Sequence, residues 1–238
     1  IVSYFRIMQH EKKITIAVDG FSSCGKSTLA RTLAKELNYT FIDSGAMYRG
    51  IALFCLKNQL IEDGEPNEEA INASLDSIHL SFKINDYGDQ ILYLNDEDVE
   101  QEIRQPQIAS IVSKIATLPM VREKLVNEQR EMGKLGGIVM DGRDIGSVVF
   151  PNAELKLFIT ADPDVRTKRR YLELSEKGIQ TSLEEVRKNL LERDHIDSTR
   201  AISPLIQTKD AIVIDNSNMT RQEQLERAMQ LAKERINS

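Results

Sequence analysis

The stretch ITIAVDGFSSCGKST (14–28) constrains the fold more than any other part of the chain. Its apolar, β-branched start suits a strand buried on both faces, and the run breaks at Gly20. Gly20-Phe21-Ser22-Ser23-Cys24-Gly25-Lys26-Ser27 then fits G-x-x-x-x-G-K-[ST], with Thr28 and a helix-period stretch following. The glycines let the backbone curl so that successive N–H groups point inward, and the helix opening here adds its positive end. A strand, a bare loop and a helix start carrying one cation make a cradle for a polyphosphate. Lys26 is expected to reach the β- and γ-phosphates of a nucleotide, and Ser27 to offer its hydroxyl to Mg²⁺. Cys24 reads as a small loop residue whose alkylation should block nucleotide binding.

Further strand signals alternate with helical ones. TFI (40–42), GIVM (137–140), ELKLFI (154–159) and AIVID (211–215) are short and apolar. Between them lie stretches of helical period. In KSTLARTLAKEL, Leu29, Leu33 and Leu37 recur at i, i+4 and i+8, with Ala30 and Ala34 beside them. GAMYRGIALFCLKNQL, MVREKLVNEQREM, DPDVRTKRRYLELSEK, SLEEVRKNLLERDH and TRQEQLERAMQLAKERI complete the helical set. This alternation predicts an α/β fold with a parallel sheet and right-handed crossovers. One segment departs from it. IHLSFKI (78–84) and QILYL (90–94) flank NDYGD and predict an antiparallel hairpin, with Ile78, Leu80, Phe82 and Ile84 on its inner face.

Bulk numbers narrow the class. With 31 Lys and Arg against 37 Asp and Glu, the formal charge is −6, which argues against a general nucleic-acid coat. No apolar run approaches the roughly 20 residues that span a bilayer. The first residues lack the pattern of an export signal, and the two cysteines, Cys24 and Cys55, make no disulfide framework. A cytoplasmic monomer with neither membrane nor nucleic-acid partner is the expectation. One domain is read over 12–238, after an extra N-terminal segment 1–11.

A phosphate loop alone leaves three classes open: a GTPase switch, an ATP-driven motor or regulator, and a small-molecule kinase. The guanine-selecting N-K-x-D and D-x-x-G patterns are absent from the sequence. The remaining signal is arginine placed beside acids. FIDSGAMYRG (41–50) puts Ser44 at a helix start with Tyr48 and Arg49 one turn on, either an anion site or an ordinary cap with a surface arginine. In MDGRDIGSVVFP (140–151), Asp141 ends a strand where a carboxylate can orient the waters of Mg²⁺, and Arg143 and Asp144 project from a turn. Ser113 and Arg122 are unremarkable by themselves. Arg166, Lys168, Arg169 and Arg170 form a cation cluster, and Arg193, Asp197 and Arg200 share a helix face, each open to a purely solvated reading. Together they suit a reaction between two phosphate-bearing molecules, where positioned arginines neutralise charge and contribute ~10³–10⁵ in rate.

These motifs, DGFSSCGKST, DSGAMYR, Ser113 with PMVREKL, DGRDIGSVVFP and ERDHIDSTRAISPL, resemble in this order those of the bacterial cytidylate kinases, from about Ile14 onward. The resemblance implies a five-stranded parallel sheet, an acceptor-binding insertion at about 68–112 and an arginine-bearing lid at about 161–178. It implies transfer of the ATP γ-phosphate to CMP or dCMP with Mg²⁺; a kinase for UMP or another monophosphate, or an ATP-binding regulator, is the alternative. Carried over by position, acceptor-phosphate contacts fall on Ser44, Arg49, Arg143 and Arg200, ribose contacts on Arg193 and Asp197, and base contacts on Ser113, Arg122 and Asp144, with Tyr48 also on the acceptor side. Lys26, Arg143, Arg166, Arg170 and Arg200 are the expected catalytic set, Gly20 to Thr28 the ATP-binding loop, and Ser27 with Asp141 the metal site. Phe21, Cys24 and Ile196 depart from the family pattern.

Overall fold

The computed structural model describes residues 12–85 and 90–238; the N-terminal segment 1–11 and the hairpin turn 86–89 lie outside the described residues. In chain order the elements begin with β1 (Thr15–Gly20), α1 (Lys26–Leu37), β2 (Thr40–Asp43) and α2 (Ser44–Lys57). A small region follows: β3 (Ile61–Glu62), β4 (Glu65–Pro66), α3 (Glu68–Ser74), β5 (Leu80–Ile84), β6 (Gln90–Leu94) and β7 (Glu97–Asp98). Then come α4 (Pro106–Ile115), α5 (Pro119–Met132), β8 (Ile138–Gly142) and β9 (Leu155–Thr160). The chain closes with α6 (Pro163–Glu176), α7 (Leu183–Thr199), β10 (Ile212–Asp215) and α8 (Arg221–Ile236).

Five strands form one parallel sheet in the order β10-β9-β1-β8-β2. The chain runs from β1 outward to β2, fills the gap with β8, then crosses β1 to lay down β9 and β10. That reversal opens a crevice beyond the carboxyl ends of the strands, where open α/β sheets bind ligands. β1, β8 and β9 are almost wholly buried, which is why they read as unbroken apolar runs. On one face, Leu29, Ala30 and Leu33 of α1 and Ala228, Leu231 and Ala232 of α8 pack on Ile16, Val18, Val139 and Ile159.

A second core joins this small region to α2, α4 and α5. Ile51 and Cys55 of α2 meet Ile71, Leu92, Ile108, Ile115, Val121 and Leu125. Here α4, which the strand-and-helix pattern above does not name, carries its apolar residues at Ile108, Ile111, Val112 and Ile115 and so lays a continuous stripe inward. The antiparallel hairpin is present as β5 and β6, with β7 added as a third strand. Its inner face is shorter than predicted: Ile84 is exposed, while Leu80 and Phe82 are half-buried. Gln90 ties this region to the edge of the main sheet, its amide donating to the Phe41 carbonyl (2.5 Å) and accepting from the Asp43 N–H (3.4 Å).

Candidate active site

A cleft of about 410 Å³ opens at the carboxyl ends of the strands. Its walls include Ser22, Ser23, Gly25, Lys26, Ser27 and Thr28 from the phosphate loop. The loop's shape follows from two glycines. Gly20 lets β1 lie against β9 so closely that a Cβ there would stand 2.1 Å from the Ile159 carbonyl oxygen. Gly25 takes φ +85° as the N-cap of α1 and offers no side chain to the helix. The first amides of α1 therefore face the cleft without an internal acceptor or an acidic first turn, an arrangement suited to phosphate. Asn216, fully buried, supports the loop from behind by donating to the Cys24 carbonyl (2.7 Å). Cys24 is itself wholly buried, so its thiol is closed to the alkylation envisaged from sequence.

Two aspartates end neighbouring strands in register, Asp43 on β2 and Asp141 on β8. Asp141 accepts from the Ser27 hydroxyl (2.5 Å) and lies 3.9 Å from the Lys26 ammonium. Its other oxygen, Oδ1, is buried without a partner. Burial, then repulsion from Asp43, pushes the Asp141 carboxyl above its ordinary range, and burial pulls the Lys26 ammonium down. A free carboxylate oxygen beside a hydroxyl suits a hard cation such as Mg²⁺, which takes one or two protein oxygens and keeps waters and phosphate oxygens for the rest. No group of three potential metal-binding side chains occurs among the described residues.

Asp43 caps α2 by accepting from the Ala46 N–H (2.9 Å), while its second oxygen holds Arg49 (2.8 Å) and Arg104 (3.1 Å). Burial alone would raise this carboxyl, but the two guanidiniums more than reverse it. Ser44 is therefore not the ordinary cap that the sequence left open as an alternative; its hydroxyl donates to the Asp141 carbonyl (2.6 Å), and the residue lines the cleft. Arg104 has no counterpart among the predicted site residues. It ends a three-residue 3₁₀ turn, Glu102–Arg104, too short to show a period, yet it lines the cleft and also pairs with Glu100.

The turn after β8 carries Arg143 and Asp144. Asp144 pairs with Arg122, both nearly inaccessible at 4% and 2% exposure, and its second oxygen lies 3.6 Å from Arg200. Arg122 also donates to the Ala116 carbonyl (3.1 Å) and its guanidinium lies over the Tyr48 ring (5.5 Å). The Tyr48 hydroxyl is buried without a partner, and Ser113 lines the same wall. Burial, not exposure, thus distinguishes Ser113 and Arg122 from ordinary helical residues. Arg143 bridges Asp197 on α7 (2.7 Å) and the Ser22 hydroxyl (2.8 Å), and Asp197 lies 3.6 Å from Arg200. Arg200 is the C-cap of α7, one residue beyond the helix. Burial, then Arg143, lowers Arg193 to about 10, so this half-buried cation stands in a field crowded with its own sign.

The cation run on α6 divides. Arg170 lines the cleft and pairs with Glu173 (2.8 Å). Arg166, expected beside it over the phosphates, is not on the cleft wall. It is buried behind the phosphate loop, donating to Asp194 (2.5 Å), the Ser22 carbonyl (3.2 Å) and the Ala161 carbonyl (3.1 Å), with its guanidinium 5.2 Å from the Phe21 ring centre. Arg169 is bound to Asn216 and Lys168 is exposed. Phe21 packs edge-on to Phe158, and Ile196 is half-buried on α7. Gly20, Phe21 and Cys24 shape the loop from outside the cleft.

A five-stranded parallel sheet with a phosphate loop at its crevice, faced by arginines, defines a P-loop kinase. A family model described as cytidylate kinase matches residues 16–234. The cytidylate kinase of Parabacteroides distasonis is 56% identical over 90% of this chain and 93% of its own length. That of Flavobacterium johnsoniae is 53% identical over 92% of this chain and 96% of its own. The chain belongs to the cytidylate kinase family. Likeness to solved structures is looser: a shikimate kinase from Bacteroides thetaiotaomicron aligns at a TM-score of 0.46 with 13% identity, over 93% of this chain and 99% of that one.

Proposed function

We propose that this protein transfers the γ-phosphoryl group of ATP to CMP or dCMP, giving ADP and CDP or dCDP. The observation that carries this reading is one cleft lined both by the phosphate loop and by the buried Arg122–Asp144 pair with Ser113. Cytosine shows an amino donor at N4 and acceptors at N3 and O2. Asp144 and Ser113 accept from N4, while Arg122 donates to the acceptors. Uracil sets its O4 against the Asp144 carboxylate and leaves buried groups unpaired, and a site built this way discriminates by as much as ~10⁴.

Lys26 and the loop amides hold the donor phosphates. Arg49, Arg143 and Arg200 with Ser44 receive the acceptor phosphate, and Arg193 with Asp197 the ribose. Ser27 and Asp141 would hold Mg²⁺, which, when bound, neutralises charge on the phosphate oxygens. The acceptor phosphate is its own nucleophile and needs no strong base, so the work of these residues is alignment and charge stabilisation. Residues 68–112 form the acceptor-binding insertion. Residues 161–178 form a lid whose Arg170 closes over the transferring group while Arg166 anchors the hinge side. Closure excludes water and so protects ATP from hydrolysis.

The test is a coupled ADP-release assay over a panel of monophosphates. Fast turnover with CMP and dCMP and slow turnover with UMP and AMP is expected. Equal rates with UMP, or ATP binding without ADP release on any acceptor, would overturn the reading.

A further inference from the structure

We propose that Asp19, which lies outside the cleft, is a positioning residue for base recognition: its buried carboxylate fixes the turn that presents Arg143 and Asp144. Asp19 is the fifth residue of β1, opposite Gly142 on β8 and 6% exposed. One carboxylate oxygen accepts from the Ile145 N–H (2.8 Å) and the other from the Gly146 N–H (2.7 Å). Those amides begin a single π-helical turn, Ile145–Val149. The first N–H groups of any helical turn have no internal acceptor, and Asp144, the N-cap here, supplies none from its side chain. A carboxylate from another strand does what the local cap does not.

The backbone at Asp144 shows why outside support is needed. Its φ of −141° and ψ of 24° belong to neither the helical nor the extended region. Such conformations persist where surrounding structure over-determines them. The walls are tight: a Cβ on Gly146 would stand 3.2 Å from Lys156 Cδ and 3.3 Å from Asp19 Oδ2, and one on Gly142 would stand 2.6 Å from the Ser44 hydroxyl and 2.7 Å from Ile145 Cδ1. The turn cannot rotate to find other acceptors. Its orientation is therefore carried straight to the Asp144 side chain, one residue before the first bonded amide.

The charges around Asp19 suit a lever rather than an ion pair. Asp144 and Arg143 face it from the turn. Lys156 on β9 passes close by, but its ammonium goes to the Pro151 carbonyl (2.6 Å) and to Asp210 (2.7 Å). Burial raises the Asp19 carboxyl to about 6 against the pull of its two amide donors, so at neutral pH it is ionised and accepts at both oxygens.

The experiment compares wild type with Asp19→Asn in steady-state kinetics, varying CMP, UMP and ATP separately. The carboxamide turns one acceptor into a donor facing an N–H. The KM for CMP should rise about tenfold or more and the CMP-over-UMP preference should fall by a similar factor, with the KM for ATP within about twofold of wild type. A purely structural residue would raise both KM values together or lower the melting temperature with the preference unchanged, and either result overturns the proposal. Gly146→Ala presses on the same carboxylate from the opposite side and should shift the preference in the same direction. If Asp19→Asn does not fold, an unchanged preference in Gly146→Ala overturns the proposal. The inference rests on the cytidylate kinase reading; wild type that fails to phosphorylate CMP defeats that reading, whereas active wild type with no such split defeats only the role of Asp19.

Discussion

Removing Asp144 isolates the energetics of the buried pair from its part in recognition. In Asp144→Ala, Arg122 keeps only the Ala116 carbonyl and the face of Tyr48, and its Nε already lacks a partner. Breaking one side of a buried pair costs about 3–5 kcal/mol, because a charge is left desolvated and uncompensated. Arg200 loses a 3.6 Å neighbour as well but keeps Asp197 and the Ser203 carbonyl (2.8 Å). For 238 residues the unfolding entropy near the midpoint is about 0.5 kcal/mol per kelvin, so the melting temperature should fall by roughly 6–10 °C. Adding Arg122→Met should restore at least half of that loss, since replacing both partners by apolar groups is close to neutral. Scanning calorimetry without nucleotide measures the stability, and CMP turnover measures recognition. Both variants should lose CMP selectivity alike while differing in stability. A double variant no more stable than Asp144→Ala, or a loss below about 2 °C in the single variant, would refute the account of the pair.

Lys26→Met should reduce transfer by about 10³-fold or more while circular dichroism shows an intact fold; near-normal turnover would remove its donor-holding role. Gly20→Ala should be insoluble or melt many degrees lower, because its methyl group falls on the Ile159 carbonyl; an unchanged melting curve counts against that contact. Asp19 is raised from 3.8 to about 6, so the folded state holds its proton more tightly than the unfolded state. Its contribution to stability is greatest below pH 4, falls by on the order of 3 kcal/mol as pH rises to about 6, and is flat above. Asp43 and Asp197 are lowered and act in the opposite sense, losing stabilisation as pH falls, so the measured quantity is wild type minus Asp19→Asn. An unchanged pH profile in the variant refutes the shift. Cys24 and Cys55 are buried, and burial pushes the Cys55 thiol up to about 12, so Ellman's reagent should find no reactive thiol until denaturant is added.

Much of the fold was legible because buried parallel strands announce themselves as apolar runs. ITIAV, GIVM and ELKLFI correspond to β1, β8 and β9 within a residue or two at each end. Part of the site was legible only through the family resemblance, and Arg104 and Asp19 not at all, each for a physical reason. Ser113 and Arg122 look like solvated helix residues until α4 and α5 are packed, because exposure depends on the neighbours. Arg166 and Arg170 look equivalent in a run of cations, and at i and i+4 on α6 they share one helix face, a turn apart along its axis. Only the position of Asp194 on α7 decides that Arg166 faces inward. Arg104 ends a 3₁₀ turn of three residues between β7 and α4, too short for any period to show. Asp19 sits inside a motif remembered for the glycine after it, and its amide partners are more than a hundred positions away.

At rest, the negative group held by Arg49 and Arg104 belongs to the protein itself. If Arg49 receives the acceptor phosphate as proposed, Asp43 is its tethered rival, and the phosphate enters by exchange and not by filling bare positive space. Because Asp43 already offsets much of the charge on the two guanidiniums, this corner projects a weaker field than two naked guanidiniums would. Acceptor affinity should therefore depend only shallowly on ionic strength, and stray polyanions should gain little hold.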